Sequence, residues 1–572
     1  MTDHNRFFLR HWPALVSAIV VGLILVSPQI ILQWRLGNDF HGVYIGGIDA
    51  EQYYPRVGEA YQGNVRIASP SLAEYKDAPY TITPLPELTL AAVGQSLGLT
   101  APQAVVFGSF LFPALLFLIL YGLFWALSEE KLFSLTAAAG ILLASNLILF
   151  PRDIYHLFID SKEIAVNVFN RPINPQVSSA YFFLWAFCFW PMVFGRKQKW
   201  RILFAGILFG ALFYVYPFSW MLAVVFQGLV LVYLLWKKDY SLVKNVTVSG
   251  LIGLLVSIPF WINFFHVATS PLYELLKKHE GFYNTRLPIF SWLLIIDFGV
   301  LLFLYFKQKL RSQTVRFGIF FATALMILIN QQVITNLRFF PGHWHWYYVG
   351  PLSIFVGLFF LRQMSIHWPR IHLISFILLL VIFLADGIFS QISYYHDSAP
   401  TAISTQRYGL LFDWLNQNTL KGSVVASGDA LAFLIPFHTS DDHYLVNLYD
   451  TLGLIPEERI RHSFFTKIYF LGARADNLAE FINQKNQDLS YVLYGYWRRY
   501  AFGCQECYPE DELAKLQADY LEFLRQDFKA ELKRYRIDYL VVDRTNPHWP
   551  QVNLDFASLV AEVSDFAIYQ VN

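Results

Sequence analysis

Long apolar runs recur along the first two thirds of this chain, and no other feature narrows its fold as much. They fall at about 13–32, 103–127, 132–150, 178–195, 202–217, 219–236, 246–265, 289–306, 317–333, 347–361 and 371–390. A helix rises 1.5 Å per residue, so roughly 20 apolar residues cross a hydrocarbon core of about 30 Å. The pattern predicts an α-helical polytopic membrane protein with about eleven spans. Composition agrees. Only 15% of the 572 residues are charged, against about 25% in an ordinary soluble chain. The net charge of +1 carries no basic footprint for nucleic acid. The first run, 13–32, is too long for the apolar core of a signal peptide, and no small-residue cleavage site follows it. It is therefore expected to stay as the first helix, and Pro217 in "YVYPFSWM" is expected to break the chain between two spans.

The loops sort by charge. "GRKQKWR" (195–201), "KKDYSLVK" (237–244), "KQKLRSQTVR" (307–316) and "RQMSIHWPR" (362–370) are short and basic, and the N-terminal tail carries Arg6 and Arg10. All five fall on one side, which the positive-inside rule makes cytoplasmic. "SEEK" (128–131) shares that side without the positive bias. The other side receives 33–102, 151–177, 266–288, 334–346 and everything after 390. Those segments are longer and richer in acids, aromatics and prolines, as functional loops are. The expected location is a plasma membrane of prokaryotic type, with the N-terminus cytoplasmic.

Two domains follow: 1–390 in the membrane, with a first external loop at 33–102, and 391–572 as an extracytoplasmic α/β domain. In the second, "GSVVASGD" (422–429) and "RIDYLVVDR" (536–544) read as buried strands, and 511–535 reads as one amphipathic helix. Cys504 and Cys507 form a lone CxxC, which suits a short disulfide outside the cytoplasm better than a metal site. Cys188 lies in an apolar run as packing.

The stretch "GGIDAEQYYPRVGEAYQGN" (46–64) sets carboxylates and tyrosines just after the first span. Asp49 with Gln52 has capping-box spacing. Pro55 argues against a helix beginning at Ala50, because it would remove the bond to the Glu51 carbonyl. Pro55 suits the first position of a helix ending near Gln62. Asp49 then lies in the preceding turn, available as a general base toward an acceptor hydroxyl. Glu51 and Glu59 are expected to be solvated.

A retained first helix, an acidic external loop continuing as "YYPRVGEAYQGN", a return segment "PLPELTLAAVGQSLGL" (84–99), many spans and a closing external domain together resemble the GT-C superfamily of polytopic glycosyltransferases. That superfamily includes oligosaccharyltransferases, protein O-mannosyltransferases and aminoarabinose transferases. The resemblance implies a GT-C-like fold and a polyprenyl-phosphate or pyrophosphate sugar donor. It further implies inversion at the anomeric carbon, Asp49 as base, and a glycan, lipid or protein acceptor. This loop reads Asp49-Ala50-Glu51 rather than adjacent acids or DxD. A divalent cation, Mg or Mn, is the one cofactor on offer, with Glu51, Asp160 and Glu163 as second acidic or metal-binding candidates. Asp160 and Glu163 share a helical face by spacing.

Cations for the departing phosphate are sought in two more external loops. "PRDIYHLFIDSKEIAVNVFNRPINPQ" (151–176) supplies Arg152, Lys162 and Arg171, and "NQQVITNLRFFPGHWHWYY" (330–348) supplies Arg338, His343 and His345. Snorkelling cations and an aromatic belt would produce much the same composition. A transporter or flippase is the main rival. It would need midplane polar residues and paired inverted halves, and the sequence offers Asp297 near mid-span, Asp386 nearer an end, and no evident repeat. A sensor or assembly protein would leave eleven spans and the acidic loop without a purpose.

Overall fold

In the computed structural model, helices occupy all eleven apolar stretches. The structure describes residues 3–151, 155, 166–194, 199–307, 312–484, 493 and 510–572. Among these, eight helices are long and apolar enough to cross a membrane: Arg10–Asp39, Ala101–Ser128, Gln176–Phe194, Pro217–Trp236, Tyr240–Ala268, Gln313–Thr335, Gly342–Ser365 and Pro369–Ser404. Lys131–Leu143, Lys199–Leu212 and Trp292–Lys307 cover the remaining stretches with shorter helices. The protein is thus an α-helical polytopic membrane protein. Pro217 opens its helix at the first position, where its missing N–H costs nothing, after an extended Tyr216.

Aromatic rings fill the space between the helices. Phe124 stacks on Phe355 with centroids 5.2 Å apart, Trp185 on Phe189 at 5.1 Å, and Trp190 meets Phe317 edge-on at 5.1 Å. Such pairs add to plain burial. The exposed apolar side chains of the outer helices, among them Leu255, Ile262 and Leu378, form the surface that lipid would cover.

Contacts between loops agree with the alternation read from charge. Glu130 of "SEEK" pairs with Arg362 and with His372. The acid that spoils the positive bias is therefore matched by a base from the neighbouring loop on the same side. Gln313 donates to the Phe194 carbonyl and Thr314 to the Leu127 carbonyl, each at 2.6 Å, which draws two more of these loops together.

At the opposite end, α1 (Asp3–Leu36) leads into α2 (Ala50–Tyr61) and α3 (Leu85–Ser96). Helix α2 begins at Ala50 with Pro55 inside it, against the start at Pro55 expected from sequence. Two N–H groups, from Gln52 and Tyr53, bond the Asp49 carbonyl at 3.0 and 3.2 Å and nucleate the helix upstream. Burial of Tyr53, Tyr54 and Pro55 offsets the one lost bond.

The last long helix runs past residue 390 to Ser404 and leads into the C-terminal segment. That segment carries a five-stranded sheet: β1 (Val424–Ala426), β2 (Asp442–His443), β3 (Tyr539–Asp543), β4 (Ala557–Val563) and β5 (Phe566–Val571), in the order β2-β1-β3-β5-β4. β1 is parallel to β2 and β3, while β5 is antiparallel to β3 and β4. Both expected strands are present, and the β4–β5 hairpin is an addition to the sequence reading. The expected helix at 511–535 is two helices, Glu510–Phe523 and Phe528–Leu532. Asp527 accepts from the Lys529 N–H and restarts the second. Cys504 and Cys507 lie outside the described residues; Cys188 is a buried free thiol.

This segment sits directly on the loop that runs between α1 and α3. Gln406 grips residues 41–43, donating to the Val43 carbonyl and accepting from the His41 N–H. Thr81 donates to the Leu452 carbonyl at 2.6 Å, and Arg459 reaches Glu74 at 3.4 Å.

Candidate active site

The turn ahead of α2 is built to present Asp49. Tyr394 donates to the Gly46 carbonyl at 2.8 Å, and the Gly47 N–H reaches the Tyr54 hydroxyl at 3.2 Å. A Cβ at Gly47 would lie 3.2 Å from both the Asn170 carbonyl oxygen and Pro172 Cδ, so any larger residue would have to push 170–172 back by a few tenths of an ångström. Asp49 itself is left-handed, φ 56°, and its side chain makes no cap bond. Aspartate is one of the few residues that tolerate that conformation. The capping-box alternative is therefore not used, and the carboxylate points elsewhere.

It meets Arg171. The two form an ion pair through Asp49 Oδ2 in which the guanidinium is 7% exposed and the carboxylate 31%. Arg171 also donates to the Tyr347 hydroxyl and, at 3.3 Å, to the Tyr53 hydroxyl. Asn174 donates to that same Tyr53 oxygen at 3.3 Å. Burial opposes the Arg171 charge, but the surrounding Tyr53, Tyr347 and Asp49 outweigh it and raise its pKa above the ordinary value. Burial likewise pushes the Tyr53 phenol upward, so it stays a neutral donor and acceptor. Among the described residues, the buried Arg171 Nε has no hydrogen-bond partner. An orphaned guanidinium N–H is costly unless something else occupies it.

The C-terminal segment completes the group. Tyr449 donates to Asp49 Oδ1 at 3.5 Å. Its loop is pinned by Asn447, whose side-chain oxygen accepts from the N–H groups of Tyr449 and Asp450. Asp450 beside it is buried, and that burial pushes its pKa up to about 7.

His343 joins at one remove. Its ring stacks on Tyr347 with centroids 5.6 Å apart, and its Nδ1 bonds the Tyr216 hydroxyl at 2.7 Å. His345 bonds Ser291 at 3.0 Å instead. Arg338 lies against Tyr283, paired through the backbone and with its guanidinium 5.5 Å from the ring. No described contact joins Arg338 or His345 to Asp49. Arg152, Asp160, Lys162 and Glu163 lie outside the described residues. Glu51 is exposed at the start of α2. Glu59 is not solvated: it is buried at 1%, where Lys76 pairs with it and with Asp442. Among the described residues no three His, Cys, Asp or Glu side chains converge as a metal-binding set. Asp297 accepts from Ser353 at 2.6 Å, a local pairing inside the helix bundle.

Sequence reasoning passed over Tyr53, Asn174, Tyr216, Tyr347 and Tyr449. One signal was available: Tyr347 follows His343 by four residues, which places both on one helical face.

No protein-family model matches the chain, and no curated protein matches it in sequence. Among solved structures, it is similar to ArnT from Cupriavidus metallidurans bound to undecaprenyl phosphate, with 12% identity and a TM-score of 0.44 over 100% of this chain and 98% of that one. It is also similar to the Archaeoglobus fulgidus oligosaccharyltransferase in complex with zinc and sulfate, with 13% identity and a TM-score of 0.44 over 92% of this chain and 68% of that one. The same oligosaccharyltransferase tethered to an acceptor peptide gives 11% identity and a TM-score of 0.46, over 94% and 70% of the two chains.

Proposed function

We propose that this protein is a membrane glycosyltransferase of GT-C type. It moves a sugar from a polyprenyl-phosphate or pyrophosphate donor to an acceptor at the external membrane face, with inversion. Asp49 takes the proton of the acceptor hydroxyl as its oxygen attacks the anomeric carbon, and the bond to the donor phosphate breaks. Arg171 receives the charge that develops on the leaving phosphate, with the Tyr53 and Tyr347 hydroxyls orienting the guanidinium. In this reading 1–390 is the membrane catalytic domain, 391–572 is extracytoplasmic, and the N-terminus is cytoplasmic.

The observation that carries the reading is the Asp49–Arg171 pair. The carboxylate is uncommitted to any helix cap, and its buried partner keeps an orphaned Nε–H. The described residues alone do not complete a divalent cage, which takes about six oxygen ligands, and no step above is routed through a metal.

The test is transfer from a labelled polyprenyl-phosphate sugar in membranes bearing wild type or Asp49→Asn. Asparagine tolerates the same left-handed backbone, so loss of transfer reports on the carboxylate. Undiminished transfer by the variant removes Asp49 as the base.

A further inference from the structure

Beside the Asp49 turn lies a cavity of about 270 Å³, lined by Gly46 of that turn and by Tyr54 of α2. One wall is aromatic. Tyr44 and Phe433 line it, and Tyr54 stacks on Phe437 with centroids 4.3 Å apart at 21°. The end of helix Pro369–Ser404 and the residue just beyond it also line the cavity, with Asp397, Thr401 and Thr405 four residues apart on one helical face. Pro102 and Val105, at the mouth of a spanning helix, form the floor.

The charge pattern selects the ligand. Among the described residues no lysine or arginine lines this cavity, and Asp397 is the one carboxylate that does. Burial of His438 pushes its pKa down to about 3, so the imidazole there is neutral. A phosphate would face a carboxylate with no cation to receive it. A neutral sugar ring suits this lining: its C–H face can rest on aromatic rings while its hydroxyls bond the carboxylate and threonines. Gly46, which lines the cavity, is three residues from Asp49, at most about 11 Å of chain.

We propose that this cavity binds a neutral sugar ring, one further along a glycan acceptor than the ring whose hydroxyl faces Asp49. The assignment rests on the glycosyltransferase reading for its role, but binding is measurable without catalysis.

The experiment is saturation-transfer NMR on the full-length protein in nanodiscs. The probes are methyl α-mannoside, methyl β-glucoside and methyl β-galactoside, with 1-decanol as an apolar arm. At least one glycoside is expected to receive saturation above empty nanodiscs. Thr401→Trp and Val106→Trp fill the cavity from two different lining helices, so each should abolish that saturation, and Asp397→Ala should weaken it several-fold. Asp49→Asn should leave it intact. Saturation confined to decanol assigns the cavity to lipid tails and overturns the proposal. Glycoside signals absent, or indifferent to both tryptophans, overturn it too. Glycoside binding lost in the tryptophan variants while Asp49→Asn still transfers sugar would sink the catalytic reading and leave the sugar site standing.

Discussion

Helix α2 carries a paired carboxylate at each end, and the two pairs are built for different work. At its start, Asp49 is 31% exposed and touches Arg171 from a strained turn, in a group with an orphaned donor. Near its end, Glu59 is 1% exposed and bonded by both Lys76 and Asn64. Burial raises the Glu59 pKa and Lys76 pulls it back. Lys76 also reaches Asp442 of β2 at 2.5 Å, so this pair clamps the first loop to the C-terminal segment. The difference teaches how to separate chemistry from architecture when both are written in acids. The architectural pair is closed, while the other is half-open with a donor to spare.

The comparison breaks first at Asp49. Asp49→Asn should lower transfer by about 10²–10⁴-fold, the usual contribution of a general base, while the unfolding midpoint stays near wild type. A large stability loss in place of an activity loss would make the two ends alike. Lys76→Met should do the reverse. It leaves two buried carboxylates uncompensated and should cost roughly 3 kcal/mol, the low end for a broken buried pair because Lys76 is 19% exposed. The check is thermal unfolding and limited proteolysis at the junction with the C-terminal segment. Activity per folded molecule should change little.

Two intermediate effects sharpen the contrast. Asp450 lies next to the active group and has a pKa raised by burial to about 7, above its unfolded value near 3.8. Its carboxyl is protonated in both states below pH 4. Between pH 4 and 7 only the unfolded state ionises, so this group makes stability fall across that window and level off above it. Asp450→Asn should flatten that slope in unfolding measured against pH. Gly58 lies on the Glu59 side. A Cβ there would come within 1.9 Å of the Pro436 carbonyl oxygen, so Gly58→Ala must move one backbone past another. It should cost about 1–3 kcal/mol, read as a lower unfolding midpoint.

The sequence already carried the helices, because runs of spanning length need only local composition. It also put Asp49 and Arg171 in loops at the same end of the spans, where the two residues do meet. Their pairing was not legible, since 122 residues separate them and glycine at 47 looks like any turn residue. Glu59 was misjudged as solvated for the same reason: Asp442 comes from a strand nearly four hundred residues away. The helix start at Ala50 was missed because a single proline weighs heavily in a local reading, whereas three consecutive buried side chains decide it in the fold. Tyrosines were the least visible of all. An aromatic belt predicts them in these loops whatever they do, and only the geometry distinguishes Tyr53 and Tyr347, which bond Arg171, from those that merely pack.

The smallest expected effect tests whether the C-terminal segment belongs to the site at all. Tyr449 reaches Asp49 Oδ1 across 3.5 Å, a long bond in a half-open setting, so its loss should cost at most about 1 kcal/mol. Tyr449→Phe keeps the ring and removes only the hydroxyl. Transfer should fall about threefold, with the unfolding midpoint unchanged and binding of glycosides in the cavity beside Gly46 unaffected. The informative measurement is a double-mutant cycle with Asp49→Asn. If the hydroxyl acts through the carboxylate, it should have no further effect once the carboxylate is gone. Additive losses would place Tyr449 in some other task and return Asp49 and Arg171 to the membrane domain alone.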